Sequence, residues 1–513
     1  MTIRRPDAAE IAAAGAELGL TLDDAAAESF LGMMQGLFDS YDIVDAMADP
    51  LPPVRYPRAP ARRPDPADNP YGAWAARGLI RGAKRGPLSG KTVAIKDNVA
   101  VAGWPMQNGA SILEGYVPEI DATIVERLLD AGAEIHGKSV CEYYCASGGS
   151  HTAASGPVEN PAVAGGNAGG SSSGSAALVG AGIVDMATGG DQGGSIRIPA
   201  SFCGIVGLKP THGLVPYTGI FAVELTVDHA GPMTRTVAEN AAMLEAIAGP
   251  DGLDPRQAAI PPATTGEPHT AAPYTGALGL GAGGLRIGVV RESFAMPGAE
   301  AAVNDAVMAA AAVLGRIGAR VGEISLPLHA QGAAIWTPIF LEGATDLMMR
   351  QNAYGTNMKG VFLESLMDAH ARWHGRADEL SETLKLGILM GHYMASRHRG
   401  RFYGRAQNLN RRLTAAYDAA LAEHDLLLMP TTPMAAQPLP PPGASREAVI
   451  AAAFSMLPNT APTCATGHPA ISIPCGPTPD GRPVGLQLVG RKWDEVTIYR
   501  AAAALESALA AGR

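Results

Sequence analysis

The sequence predicts an α/β fold, a sheet covered on both faces by helices, preceded by a small helical appendage. Three observations carry this expectation. Short apolar runs of strand length alternate with helical segments from Lys91 to the C-terminus. Hydrophobic residues are 47% of the 513, enough for a large buried core. A proline-rich stretch around residue 60 separates a helical start from all that follows.

Residues 7–47 read as helices. Asp7 with Glu10 forms a capping pattern, and Thr21-Leu-Asp-Asp24 opens a second helix, with Phe30, Leu31, Met34 and Leu37 at helical spacing. Residues 51–70 hold repeated prolines and only short apolar stretches, which makes an extended linker. The expected organisation is a helical unit over 1–50, the linker over 51–70 and a main domain over 71–513. Within that domain, strands are expected over 91–95, 133–136, 183–187, 285–290, 320–326, 426–429, 470–473 and 484–489. Helices are expected over 121–131, 301–316 and 495–510. Residues 250–284 and 434–446 read as surface connections.

Composition excludes several classes. The 39 basic and 49 acidic residues give −10, which argues against a nucleic-acid face. Five cysteines are few and odd in number, so a disulfide framework is not expected and a reducing cytoplasm is. The start MTIRRPDAAE has no apolar signal core, and no run reaches the ~18 apolar residues of a membrane span. Gly 62 and Pro 40 point to many tight turns and to closely packed backbone.

The most unusual segment is 165–216. It opens GGNAGGSSSGSAAL and continues through GGDQGGSIRIPASFCGIVGLKPT. Flanked by apolar helix and strand material, it reads as buried backbone whose N–H groups converge on one point, not as a flexible linker. Phosphate binding is disfavoured because no G-x-x-x-x-G-K-[ST] spacing occurs. His370 and His374 stand at i, i+4 on a helix, but the Glu of a zinc-protease motif and a third ligand are missing, so no metal is expected. Cys141 and Cys145 share that spacing and read as buried, inert thiols. A serine nucleophile without histidine remains. In Asp191-Gln-Gly-Gly-Ser195, the N–H groups of Gln192, Gly193 and Gly194 are free to converge as an oxyanion hole. Lys96, at the end of a short strand, is a lysine that burial can turn into a base.

These runs, with DHAGPMTRTVAENAAML, VAIKDNV around Lys96 and the late TGHPAISIPCG and GRPVGLQLVGR, strongly resemble the amidase signature family over residues 75–513. DGLDPRQ and the helical appendage resemble its bacterial enantioselective amidases with a helical N-terminal domain. The resemblance implies an α/β/α sandwich with a central mixed sheet. It also implies a Ser–cisSer–Lys triad that maps onto Ser195 as nucleophile, Ser171 as the cis-serine after Gly170, and Lys96 as base. Ser172, Asp191 and Arg197 take supporting positions. Many members carry Thr where this chain has Gln192, which leaves that side chain free to orient substrate. Tyr144 and Ala146 match a region near the triad, and Trp336, in an apolar run, is a candidate wall residue. The implied activity is hydrolysis of a small aliphatic or aromatic carboxamide to acid and ammonia through an acyl-enzyme. No cofactor or metal is called for, and a homodimer through the N-terminal helices is implied. A carbamate, anilide or ester hydrolase would use the same triad, and the amidotransferase enzymes that act on charged tRNA have a component that resembles the family too.

Overall fold

Apolar runs too short for helices become strands of one mixed sheet in the unit Pro53–Arg513. A computed structural model describes residues 3–259, 273–356 and 358–511. The strands are β1 (Trp74–Arg81), β2 (Thr92–Lys96), β3 (Glu134–Ser139), β4 (Met186–Asp191), β5 (Val206–Lys209), β6 (His229–Thr234), β7 (Arg286–Val290), β8 (Arg320–Ile324), β9 (Leu426–Pro430), β10 (Ala470–Pro477) and β11 (Pro483–Val489). Their order is β1-β3-β2-β4-β6-β5-β10-β11-β9-β7-β8. β2 runs parallel to β3 and β4, and β7 runs parallel to β8 and β9; the other pairs are antiparallel.

Helices cover both faces. Along β9, Leu426 and Leu428 join one apolar cluster with Leu314 and Leu505, while Leu427 and Met429 join another with Leu413 and Tyr417. A strand buried on both sides reads as a continuous apolar run, which is why this one is visible in the sequence.

Three strands have no counterpart in the sequence reading. β5 is four residues long, and β6, His-Ala-Gly-Pro-Met-Thr, carries Gly231 and Pro232 at interior positions, which count against a strand. β1 carries Arg77 and Gly78 mid-strand. The strand expected over 183–187 instead runs from Met186 through Gly189 and Gly190 to Asp191. The helices His329–Ala344, Glu382–His398 and Arg401–Glu423 likewise have no counterpart there. Of the connection expected over 250–284, residues 260–272 lie outside the described residues.

The proline-rich segment is not a free tether from Pro53 onward, where the larger unit begins. Arg58 grips Asp121 at 2.5 and 2.6 Å, Trp104 Nε1 donates to Ala59 O at 2.9 Å, and Arg62 pairs with Arg77 as a β-bridge. Prolines keep this strap extended, and its arginines fasten it.

The other unit, Met1–Pro52, holds the helices Ala8–Glu17 and Asp24–Asp45. Asp7 and Glu10 form a reciprocal capping box, and Asp23 caps the second helix through Ala26 N–H. Phe30, Met33, Leu37, Tyr41 and Val44 lie exposed along one helical stripe. No helix among the described residues is long and apolar enough to cross a membrane.

Candidate active site

β2 delivers Lys96 to the carboxyl end of the sheet. Its Nζ donates to Ser171 Oγ at 2.8 Å and to Gly190 O at 3.3 Å, and both Lys96 and Ser171 are fully buried. Asp97, the neighbour in sequence, does not pair with Lys96; its carboxylate stands 3.1 Å from Lys138 Nζ and accepts the N–H groups of Gln107 and Asn108.

The serine loop is held by its surroundings. The Gly170–Ser171 peptide is cis. A Cβ on Gly170 would lie 2.0 Å from Gly149 O, so only glycine fits there. Buried Glu142 accepts Thr152 N–H and Oγ at 2.7 and 2.6 Å and Ser173 Oγ at 2.8 Å, tying the loop to the segment after β3. Ser172 N–H donates to Ser195 O at 3.3 Å, and Ser172 Oγ donates to Gly190 O at 3.2 Å, so the two serine-bearing loops are joined at the backbone.

Ser195 follows β4 and precedes the helix Arg197–Cys203. The turn before it is oriented by its carbonyls. Gln192 O accepts Trp336 Nε1 at 2.7 Å, and Gly193 O accepts Thr460 Oγ at 2.6 Å. Across a trans peptide the next N–H points opposite the carbonyl. The N–H groups of Gly193 and Gly194 therefore face away from these donors, and no backbone acceptor among the described residues takes them or that of Gln192. Gly194 has φ 145°, and a Cβ there would strike Thr460 Oγ at 2.3 Å.

Asp191 and Arg197 brace this turn as a fully buried pair, bonded twice at 3.0 Å, not as surface ions. Arg197 also donates to Thr463 Oγ, Gln487 Oε1 and Thr460 O at 2.6, 2.7 and 3.0 Å. Burial works to raise the Asp191 carboxyl, but the Arg197 charge and hydrogen bonds outweigh it and hold that carboxyl well below the usual range.

Ser195 is 5% exposed and lines a small cavity with Cys145, Ala146, Gln192 and Gly193. Ala146, Trp336, Phe340, Phe454 and Leu457 continue from it into an apolar cavity of about 360 Å³. Trp336 stacks on Phe340 at 4.6 Å, so it is a wall residue as well as a core one. Tyr144 does not line either cavity; its ring is buried against Phe221 and His370 at 5.2 and 5.0 Å. The two histidines do not share one helix as their i, i+4 spacing suggested. The helix ends at Ala371, His370 is buried, and His374 stacks on Trp373 instead. Among the described residues no group of three or more His, Cys, Asp or Glu is placed to hold a metal ion.

Cys145, like Cys141, is a buried thiol. It lines the cavity beside Ser195, and it shares Asn108 Oδ1 with Cys141, at 3.6 and 3.2 Å. Sequence spacing brings the two cysteines together but says nothing of the cavity. Asp228 opens the run DHAGPMT, but nothing in the sequence ties it or Tyr217 to Gln192.

A model of the amidase family matches residues 72–499. The enantioselective amidase of Rhodococcus rhodochrous is 47% identical over 86% of this chain and 84% of that protein. A glutamyl-tRNA(Gln) amidotransferase chain of Haloarcula marismortui is 38% identical over 85% of this chain and 99% of its own. Among solved structures, native peptide amidase from Stenotrophomonas maltophilia superposes with a TM-score of 0.68 at 32% identity, over 82% of this chain and 83% of that one.

Proposed function

The chain belongs to the amidase family and hydrolyses amide C–N bonds, and from that premise we propose that it converts small carboxamides with apolar acyl groups to carboxylic acid and ammonia through an acyl-enzyme on Ser195. The single observation that carries this reading is the 2.8 Å contact of buried Lys96 Nζ with Ser171 Oγ, on a loop bonded to Ser195 beside an apolar cavity.

In the proposed reaction Lys96, as a free amine, accepts the Ser171 proton while Ser171 accepts that of Ser195. Ser195 Oγ attacks the amide carbon, and the oxyanion is held by the N–H groups of Gln192, Gly193 and Gly194. The C–N bond breaks as the relay returns the proton to nitrogen, and ammonia leaves. Water then attacks the acyl carbon, its proton passes into the relay, and the acid departs with Ser195 restored. Arg197 and Asp191 keep the turn rigid, and Ser172 locks the two loops. Ala146, Trp336 and Phe340 receive the acyl group.

The apolar stripe of Phe30, Met33, Leu37, Tyr41 and Val44 supports a homodimer formed through the N-terminal helices, since single exposed apolar residues are ordinary but a full stripe is not. Five free cysteines, all buried, support a reducing cytoplasm as its place of work. Ammonia release from propionamide and benzamide tests the proposal, with Ser195→Ala as control. Release of aniline from anilides with no ammonia from primary amides would contradict it.

A further inference from the structure

Gln192 is 1% exposed and lines the cavity beside Ser195, yet its Oε1 has no hydrogen-bond partner among the described residues. An amide oxygen buried without a donor is costly, so such an atom at a reaction site is one that something else satisfies.

The other end of that amide is fixed. Nε2 donates to the Tyr217 hydroxyl at 3.0 Å. The hydroxyl directs its one proton to Asp228 Oδ1 at 3.4 Å, and so can only accept from Gln192. Asp228 in turn accepts Val223 N–H at 3.1 Å and stands 3.4 Å from Arg256 Nη1. Arg256 also lies 4.4 Å above the Tyr217 ring and is held by Asp254 at 2.9 Å. The Arg256 guanidinium and the Tyr217 phenol thus both donate into the Asp228 carboxylate and the Gln192 amide donates into the phenol, which leaves Oε1 as the unpaired end of a side chain that lines the cavity.

We propose that Gln192 Oε1 accepts an N–H of the substrate's carboxamide nitrogen, and that Tyr217 and Asp228 hold it in that orientation, so that the enzyme selects amides over esters of the same acid. This rests on Ser195 being the nucleophile. A carboxamide nitrogen brings hydrogens to the orphan oxygen. An ester oxygen brings none and leaves it unpaired, and a polar site discriminates most strongly against a ligand that leaves its groups unsatisfied.

The test compares kcat/KM for benzamide and methyl benzoate in the wild type, Tyr217→Phe and Gln192→Leu. Assay at about pH 8.5 keeps Asp228 ionised, since burial, against the pull of Arg256, pushes that carboxyl up to about 7. The amide-to-ester ratio should fall about tenfold in both variants, the worth of one hydrogen bond. A general structural defect slows both substrates and leaves the ratio where it was, and an unchanged ratio overturns the proposal. If Tyr217→Phe fails to fold, Gln192→Leu alone decides. Ester turnover surviving in Ser195→Ala would instead overturn the nucleophile assignment, a separate failure.

Discussion

The two halves of the sheet are built by different rules. From β7 to β11 the strands other than the exposed edge strand β8 are largely apolar runs, as in Leu426-Leu-Leu-Met429 against Leu486 and Leu488 of β11. From β2 to β6 the strands end in glycines and buried polar groups: Lys96, Gly189, Gly190, Asp191 and His229. One half is stabilised by area removed from water. The other buries charge and unpaired polar atoms, and has to satisfy each of them one by one. The residues proposed for catalysis, Lys96 and Ser195, lie at the end of β2 and just after β4, in the half that buries polar groups.

Removing one polar group from the β2–β6 half has the largest expected effect. Lys96→Met keeps the length of the side chain and loses the amine. Ammonia release should fall about 10⁴-fold or more, with the melting temperature held, and adding Ser195→Ala should cost little further, because relay members act as a unit. Two independent, multiplying losses would contradict the shared relay.

Arg197→Met tests the brace and not the relay. Leaving Asp191 buried alone should cost about 3–5 kcal/mol. The sign with pH follows from the carboxyl. In the wild type its titration is depressed, so the pair's contribution is full above the ordinary carboxylate range of ~3.9 and is lost only as pH falls through the lower folded value. Without Arg197, burial raises that titration, and protonation relieves the variant. Its deficit in urea midpoint should therefore be larger at about pH 8 than at about pH 5. Equal deficits would mean the ion pair is not what holds the turn.

In the β7–β11 half the same size of change should do little. Ile287 of β7 is fully buried in the apolar cluster, and Ile287→Val should cost about 1 kcal/mol in stability. Its kcat per folded molecule should match the wild type; a lowered one would show that the two halves are coupled.

The same contrast decides what can be read from the chain. β7, β9 and β11 are visible as apolar runs because burial on both faces writes itself into consecutive residues. β6 is hidden because Gly231 and Pro232 look like a turn, and only the neighbours β4 and β5 make a strand of them. Lys96, Ser171 and Ser195 are legible through the motifs that resemble a family, since each motif travels as a contiguous run. The approach of Tyr217 and Asp228 to Gln192 is not, although Asp228 opens the DHAGPMT run, because it is made by tertiary contacts of single side chains with no shared spacing. Cys145 is legible as half of a pair with Cys141, but its place beside Ser195 depends on the fold of the segment after β3.

In the proposed reaction Ser195 carries the acyl group. Rapid acid quench of the enzyme turning over an activated benzoate ester, followed by peptide mass mapping, measures it directly. A benzoyl adduct on the peptide that contains Ser195, absent from Ser195→Ala, is the predicted result; an adduct on Cys145 or Ser171 in the wild type, with Ser195 unmodified, would contradict it.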